Sequence, residues 1–288
     1  MAGRAHFAAV MSGTDRWFSH RTSLLCSFQV AGAVRVSTEM DSASLWLDPP
    51  GNLAFGSDDV HVWRAPLDLS RTTVHRLRGA LSPQELERAS RYRFERDRRR
   101  FTVARGLLRL ILSAYLGIAA QSVRFRGGPH GKPHLDGDTG QERLRFNVSH
   151  SHELGLFAVT RDREVGVDVE FVARDLPVLD VAERFFSPVE VSVLQKLPAR
   201  AQREAFFTCW TRKEAYIKAR GDGLALPLHQ FDVSLSPGEP AALLGSEEDP
   251  EDVARWSLVE LKPGPGYVAS LAVEGAACQV GCWQWTDC

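Results

Sequence analysis

A chain of 288 residues, 44% hydrophobic and 25% charged, has the balance of an ordinary globular protein with room for one sizeable domain or two small ones. Its net charge of −1 speaks against a chain whose main task is coating nucleic acid or an anionic membrane, and no run of about 18 apolar residues offers a bilayer span. Five cysteines, odd in number and mostly gathered at the end, fit a reduced cytoplasmic setting better than a disulfide framework.

Residues 1–58 lack regular periodicity, are rich in Ser, Ala and Gly, and end in turn-forming Pro49-Pro50-Gly51 and Gly56-Ser57-Asp58-Asp59. The composition predicts a disordered amino-terminal extension. The Arg- and Ser-rich first 39 residues also resemble a transit peptide in composition, and Met40 offers a later start.

From residue 59 the chain repeats itself at an offset of 105. Asp59-Val60-His61-Val62 lies over Glu164-Val165-Gly166-Val167, and Leu81-Ser82-Pro83-Gln84-Glu85 over Phe186-Ser187-Pro188-Val189-Glu190. Arg98 lies over Arg203 and Phe101 over Phe206. Each copy reads as a strand, then a helix start with Ser as N-cap, Pro at the first position and Glu closing a capping box. A long amphipathic helix follows in each, over 94–116 and 200–220, and then short β-rich runs. The prediction is an α+β pseudo-dimer of two similar halves, 59–167 and 168–275, with a tail at 276–288. A ligand cleft is expected at the seam between halves.

Within this frame five motifs carry chemistry. Gly127-Gly128-Pro129-His130-Gly131-Lys132-Pro133 is a turn presenting Lys132, not a Walker A loop, since Pro133 breaks that spacing. Phe146-Asn147-Val148-Ser149-His150-Ser151-His152 places donors suited to phosphate at a strand end. In Val165-Gly166-Val167-Asp168-Val169-Glu170 the two acids share one strand face about 7 Å apart, with the valines opposite. Such a pair invites a hard cation such as Mg²⁺, although D-x-E alone is more often the wet side of an edge strand. Trp210-Thr211-Arg212-Lys213-Glu214-Ala215-Tyr216-Ile217-Lys218 sets Glu214 and Lys218 on one helical face, where an exposed i,i+4 ion pair is the bland alternative. Finally, seven Arg between 91 and 105 against Glu95 and Asp97 leave a positive field suited to phosphate or, less specifically, to nucleic acid. Lysine is rare, five among 35 basic residues, and three of the five fall inside these motifs.

Together Gly131-Lys132-Pro133, Phe146 to Ser151, Val165 to Glu170 and Trp210 to Lys218 resemble the Sfp-type 4′-phosphopantetheinyl transferases, over roughly residues 60–275. The resemblance implies the two-halved α+β fold of that family and Mg²⁺-dependent transfer of phosphopantetheine from coenzyme A to a serine of an apo carrier protein. Asp168, Glu170 and Glu214 would ligate Mg²⁺. Lys218, with Lys213 beside it, would neutralise the pyrophosphate, Lys132 and His150, with Ser149, would hold the adenosine phosphates, and Pro133 would also belong to the coenzyme A site. Arg100 and Arg88 would take the 3′-phosphate, and Glu214 is the candidate base. Asp168, Glu214 and Lys218 are thus the expected catalytic set. The implied partners are carriers of fatty-acid, polyketide, nonribosomal-peptide or related synthases, served by a monomer without nucleic acid or membrane. The runner-up is another metal-dependent enzyme acting on a nucleotide pyrophosphate. Departures from the pattern are the long extension, Glu85 where a basic phosphate contact is expected, and the tail cysteines Cys278, Cys282 and Cys288.

Overall fold

A computed structural model of the chain describes residues 46–287 apart from 52, 54, 57, 129 and 138–142, so most of the expected extension lies outside the described residues. Strand β1 (Asp59–Pro66) is buried on both faces from Val60 to Trp63. Val60 and Val62 face one core, while Trp63 and Ala65 face another. Three helices follow: α1 (Arg71–Arg78), α2 (Pro83–Ser90) and α3 (Glu95–Leu116). Short strands β2 (Phe125–Gly127) and β3 (Pro133–Leu135) pair with each other. The hairpin β4 (Leu144–Ser151) and β5 (Leu154–Arg161) then completes a sheet in which β5 lies between β4 and β1.

The second half opens with β6 (Val165–Phe171), followed by α4 (Val178–Phe185), α5 (Pro188–Lys196) and α6 (Ala199–Arg220). Strands β7 (Phe231–Val233) and β8 (Leu243–Ser246), the short α7 (Asp252–Arg255), β9 (Trp256–Leu261) and β10 (Tyr267–Glu274) follow. Strand β10 pairs antiparallel with both β6 and β9. Because β6 runs unbroken across 167 and 168, a border drawn there cuts a strand.

The repeat is visible element by element. Both capping boxes form: Ser82 and Ser187 each accept the backbone N–H three residues on, and Glu85 and Glu190 reach back to the cap N–H. The long helices α3 and α6 both run 22 residues and end on the left-handed glycines Gly117 and Gly221. Those end points lie 104 apart rather than 105, so the sequence pairing of Arg98 with Arg203 is one residue out along the helices. In the helix register Arg109 matches Lys213. Each cation grips the capping-box acid of its own half: Arg109 Nε to Glu85 Oε2 at 2.7 Å, Lys213 Nζ to Glu190 Oε2 at 2.8 Å. Glu85 therefore fastens α2 to α3, which explains an acid where a phosphate contact was expected.

Burial pushes the Glu85 carboxyl up, but Arg105, the Ser82 N–H and Arg109 together hold it below its ordinary value. A depressed carboxyl stabilises the fold above its unfolded value and loses that contribution as pH falls through the folded one. Glu85→Gln is thus expected to cost about 3 kcal/mol at pH 7, where it leaves Arg105 and Arg109 uncompensated. The deficit relative to the unaltered chain should shrink as urea denaturation is repeated towards pH 4.

Three cores result. One lies between the first sheet and α3, and one beneath α6. The third, at the seam, brings Val60, Val62, Leu156 and Ala158 against Val165, Val167, Val169 and Leu271. The carboxyl-terminal residues are no tail: β11 (Gln279–Gln284) pairs in parallel with β1, crossing back to the first half. Val280 and Cys282 continue the seam core from it. Leu47 bridges to Trp283, so the described end of the extension packs on the same strand.

Candidate active site

The valine face of β6 is committed to the seam, so Gly166, Asp168 and Glu170 point towards α6. Gly166 sets the distance. A Cβ there would stand 2.1 Å from the Ala215 carbonyl oxygen and 2.4 Å from the Ala219 nitrogen, so only glycine lets the helix backbone lie directly on the strand. Glu214 and Lys218, one helical turn apart, are delivered to the acids by this contact. Lys218 Nζ bonds Asp168 Oδ1 at 2.6 Å. Asp168 and Glu214 are 3% and 9% exposed.

The electrostatics tie the group together. Burial, then the charge of Asp168, pushes Glu170 up to about 8 against the opposing Ser151 bond and Lys218, with Glu214 adding to the rise. Glu214 is pushed up to about 7, chiefly by burial, with Lys218 lowering and Asp168 raising it. Each of the three carboxylates feels the charge of the Lys218 ammonium, and Asp168 Oδ2 is buried without a hydrogen-bond partner. The donor set is all hard oxygen, as a magnesium-type cation requires. Among the described residues no three His, Cys, Asp or Glu side chains are drawn into a preformed metal cage. Instead the Lys218 ammonium rests on Asp168.

Strand β4 closes the site from the first half. Its alternate side chains do for β6 what a neighbouring backbone would. Asn147 Oδ1 accepts the Val167 N–H at 3.0 Å, Ser149 Oγ that of Val169 at 3.4 Å, and Ser151 Oγ that of Phe171 at 3.1 Å. Ser149 also donates to Asp168 Oδ1 at 2.8 Å and accepts from Lys218 at 3.2 Å. Ser149 and His150, expected to act together on phosphate, therefore point to opposite faces, as successive strand residues must. His150 is exposed, with Lys218, Arg100 and Asp168 in electrostatic reach of its ring. Arg100 stands at this mouth on α3, paired in fork geometry with Asp68 at 2.7 and 3.0 Å. Arg88, on α2, has its guanidinium over the Phe101 ring at 5.5 Å.

Two of the expected ligand contacts, Lys213 and Lys132, are bonded to protein groups in the structure. Lys213 does not lie beside Lys218: five residues along a helix is a rotation of about 140°, to nearly the opposite face. It is fully buried, bonded to Glu190, to Leu228 O at 2.7 Å and to Phe231 O. Lys213→Met is expected to strand the Glu190 charge and cost roughly 3–5 kcal/mol in a denaturant titration, without changing how the folded fraction binds coenzyme A. Lys132 is likewise engaged. Its three donors reach Glu164 at 2.6 Å, Val165 O at 3.1 Å and Ala219 O at 2.8 Å, fastening the β3 loop to β6 and to the carboxyl end of α6. Neighbouring Pro133 opens β3. The contributions that sequence reasoning missed, Gly166, Asn147 and Ser151, had two available signals: polar residues at alternate positions of β4, and a glycine inside a strand.

Comparison with known proteins agrees with this layout. Residues 164–272 match the family described as the 4′-phosphopantetheinyl transferase superfamily, and residues 68–161 match that described as 4′-phosphopantetheinyl transferase, N-terminal. The two matches divide between β5 and β6. The 4′-phosphopantetheinyl transferase HetI of Nostoc sp. is 42% identical over 240 residues, 83% of this chain and 98% of that protein. The 4′-phosphopantetheinyl transferase Sfp of Bacillus subtilis is 31% identical over 69% of this chain and 84% of its own length. A putative 4′-phosphopantetheinyl transferase of Synechocystis sp. is 34% identical over 68% of this chain and 77% of its own. The chain belongs to the 4′-phosphopantetheinyl transferase superfamily and is an enzyme of that transferase class. Among the described residues, no helix is long and apolar enough to cross a membrane.

Proposed function

We propose that this enzyme moves the 4′-phosphopantetheine group of coenzyme A onto a serine of an apo carrier protein, with Mg²⁺ held by Asp168, Glu170 and Glu214. One observation carries the reading: three buried or half-buried carboxylates share a patch with Lys218, and the Oδ2 of Asp168 has no partner. A bound Mg²⁺ would supply charge neutralisation to the pyrophosphate. The remaining work falls to the chain itself. The serine oxygen forms a bond to the β-phosphorus, the bond from that phosphorus to the bridging oxygen breaks, and adenosine 3′,5′-bisphosphate departs. The serine proton goes to Glu214, directly or through one water. Lys218 balances charge on the phosphates, and Arg100 and His150 at the mouth receive the adenosine end.

Both halves furnish site residues, which supports a monomer as the working unit. The test is incubation of the enzyme with coenzyme A, Mg²⁺ and a panel of apo carriers from fatty-acid, polyketide, nonribosomal-peptide and related synthases, reading mass gain on each. A gain of one phosphopantetheine on at least one carrier, lost on chelation, is expected. No gain on any, with a different nucleotide and not coenzyme A raising the melting temperature, would move the reading to another pyrophosphate enzyme.

A further inference from the structure

Strand β4 offers three side chains to β6 in a repeated arrangement that bond inventory alone does not require. Each serine hydroxyl has a single proton and accepts a β6 N–H on its oxygen. Its proton is thereby free to turn to a carboxylate, and in both cases it goes to the acid just before the residue whose N–H it accepts. Ser149 accepts from Val169 and donates to Asp168 Oδ1. Ser151 accepts from Phe171 and donates to Glu170 Oε2 at 2.7 Å. The third rung, Asn147, accepts the Val167 N–H, and the residue before Val167 is Gly166 rather than an acid. Seam and acid site are thus fastened by the same atoms. The result is a rotational constraint: with Oδ1 of Asp168 taken by Ser149 and Lys218, its Oδ2 is the oxygen left over.

We infer that Ser151 is a positioning residue of this enzyme, fixing the Glu170 carboxylate so that one defined oxygen faces the cation, as Ser149 does for Asp168. The inference rests on the metal reading above and adds to it a group that acts through the Glu170 carboxylate. Ser151 is the rung to test, because Ser149 also contacts Lys218. Partners of this kind that orient a ligating carboxylate typically govern ten- to hundredfold in metal affinity.

The test is a Mn²⁺ titration of the full chain followed by electron paramagnetic resonance, alongside the Mg²⁺ dependence of carrier labelling. Ser151→Ala is expected to weaken Mn²⁺ binding about tenfold and raise the half-saturating Mg²⁺ to match, with the rate at saturating Mg²⁺ within about twofold of the unaltered enzyme. Ser151→Thr, which keeps the hydroxyl, should restore both. Ser151→Cys, of similar shape but a weak donor, should behave like Ser151→Ala and serves if the alanine variant folds poorly. Unchanged Mn²⁺ affinity in the alanine and cysteine variants overturns the inference and leaves the metal reading standing. Lack of Mn²⁺ binding by the unaltered chain removes both.

Discussion

Glu214→Gln is expected to lower carrier labelling by about a hundredfold or more while leaving the protein at least as stable as before. The two effects have opposite signs for one reason. Glu214 is nearly inaccessible, and burial together with the charge of Asp168 makes its ionised form costly, with Lys218 only partly offsetting them. An amide of the same shape removes that repulsion from the resting protein and with it an anionic oxygen from the reacting one. Asp168→Asn separates the roles further. It too should abolish labelling, but it takes the carboxylate from under Lys218, whose ammonium lies 2.6 Å away, and so should lower the melting temperature. Labelling with coenzyme A and Mg²⁺ and a thermal melt on both variants decide the matter. Retained labelling in both would end the proposed acid site; a Glu214→Gln protein that melts well below the unaltered chain would show that this carboxylate is structural.

Local patterns were the legible part of this molecule. Ser-Pro-x-Glu written twice located two helix starts because a capping box is closed within four residues, and alternation along Val165–Glu170 separated the acids from the seam valines. The same rule, applied two strands earlier on β4, would have parted Ser149 from His150, and the helical angle would have parted Lys213 from Lys218. Lys132 is different. Its partners Glu164, Val165 and Ala219 are 32, 33 and 87 residues away, and nothing near Lys132 distinguishes an ammonium that ties elements together from one that waits for phosphate. The β11–β1 pair joins residues more than two hundred apart through a run containing a glycine, too short and too distant for periodicity to reveal. What the sequence withheld was therefore the set of long-range meetings, and these decide which of the predicted cations remain near the site.

Gly166→Ala is expected to be the most damaging single-methyl change in the chain. Gly166 needs no unusual backbone angle; what it needs is absence of a side chain, since the atoms a methyl would strike belong to the α6 backbone and not to a side chain that can swing away. The helix must lift, by something of the order of 1 Å. Overpacking of this kind commonly costs 1–3 kcal/mol, and a backbone-to-backbone clash belongs at or above the top of that range, so about 3 kcal/mol or more in a urea titration is the expected loss. Activity should fall further than stability. Ala215, the first residue struck, lies between Glu214 and Lys218 on the chain, and lifting it draws both from Asp168. A displacement of about 1 Å at reacting groups can cost a hundredfold in rate. Labelling measured per folded molecule should therefore drop about a hundredfold in Gly166→Ala, and Gly166→Val should fail to fold. Near-normal labelling and stability in Gly166→Ala would mean that strand and helix do not approach this closely, and that the acids of β6 and the acid of α6 are brought together by some other route.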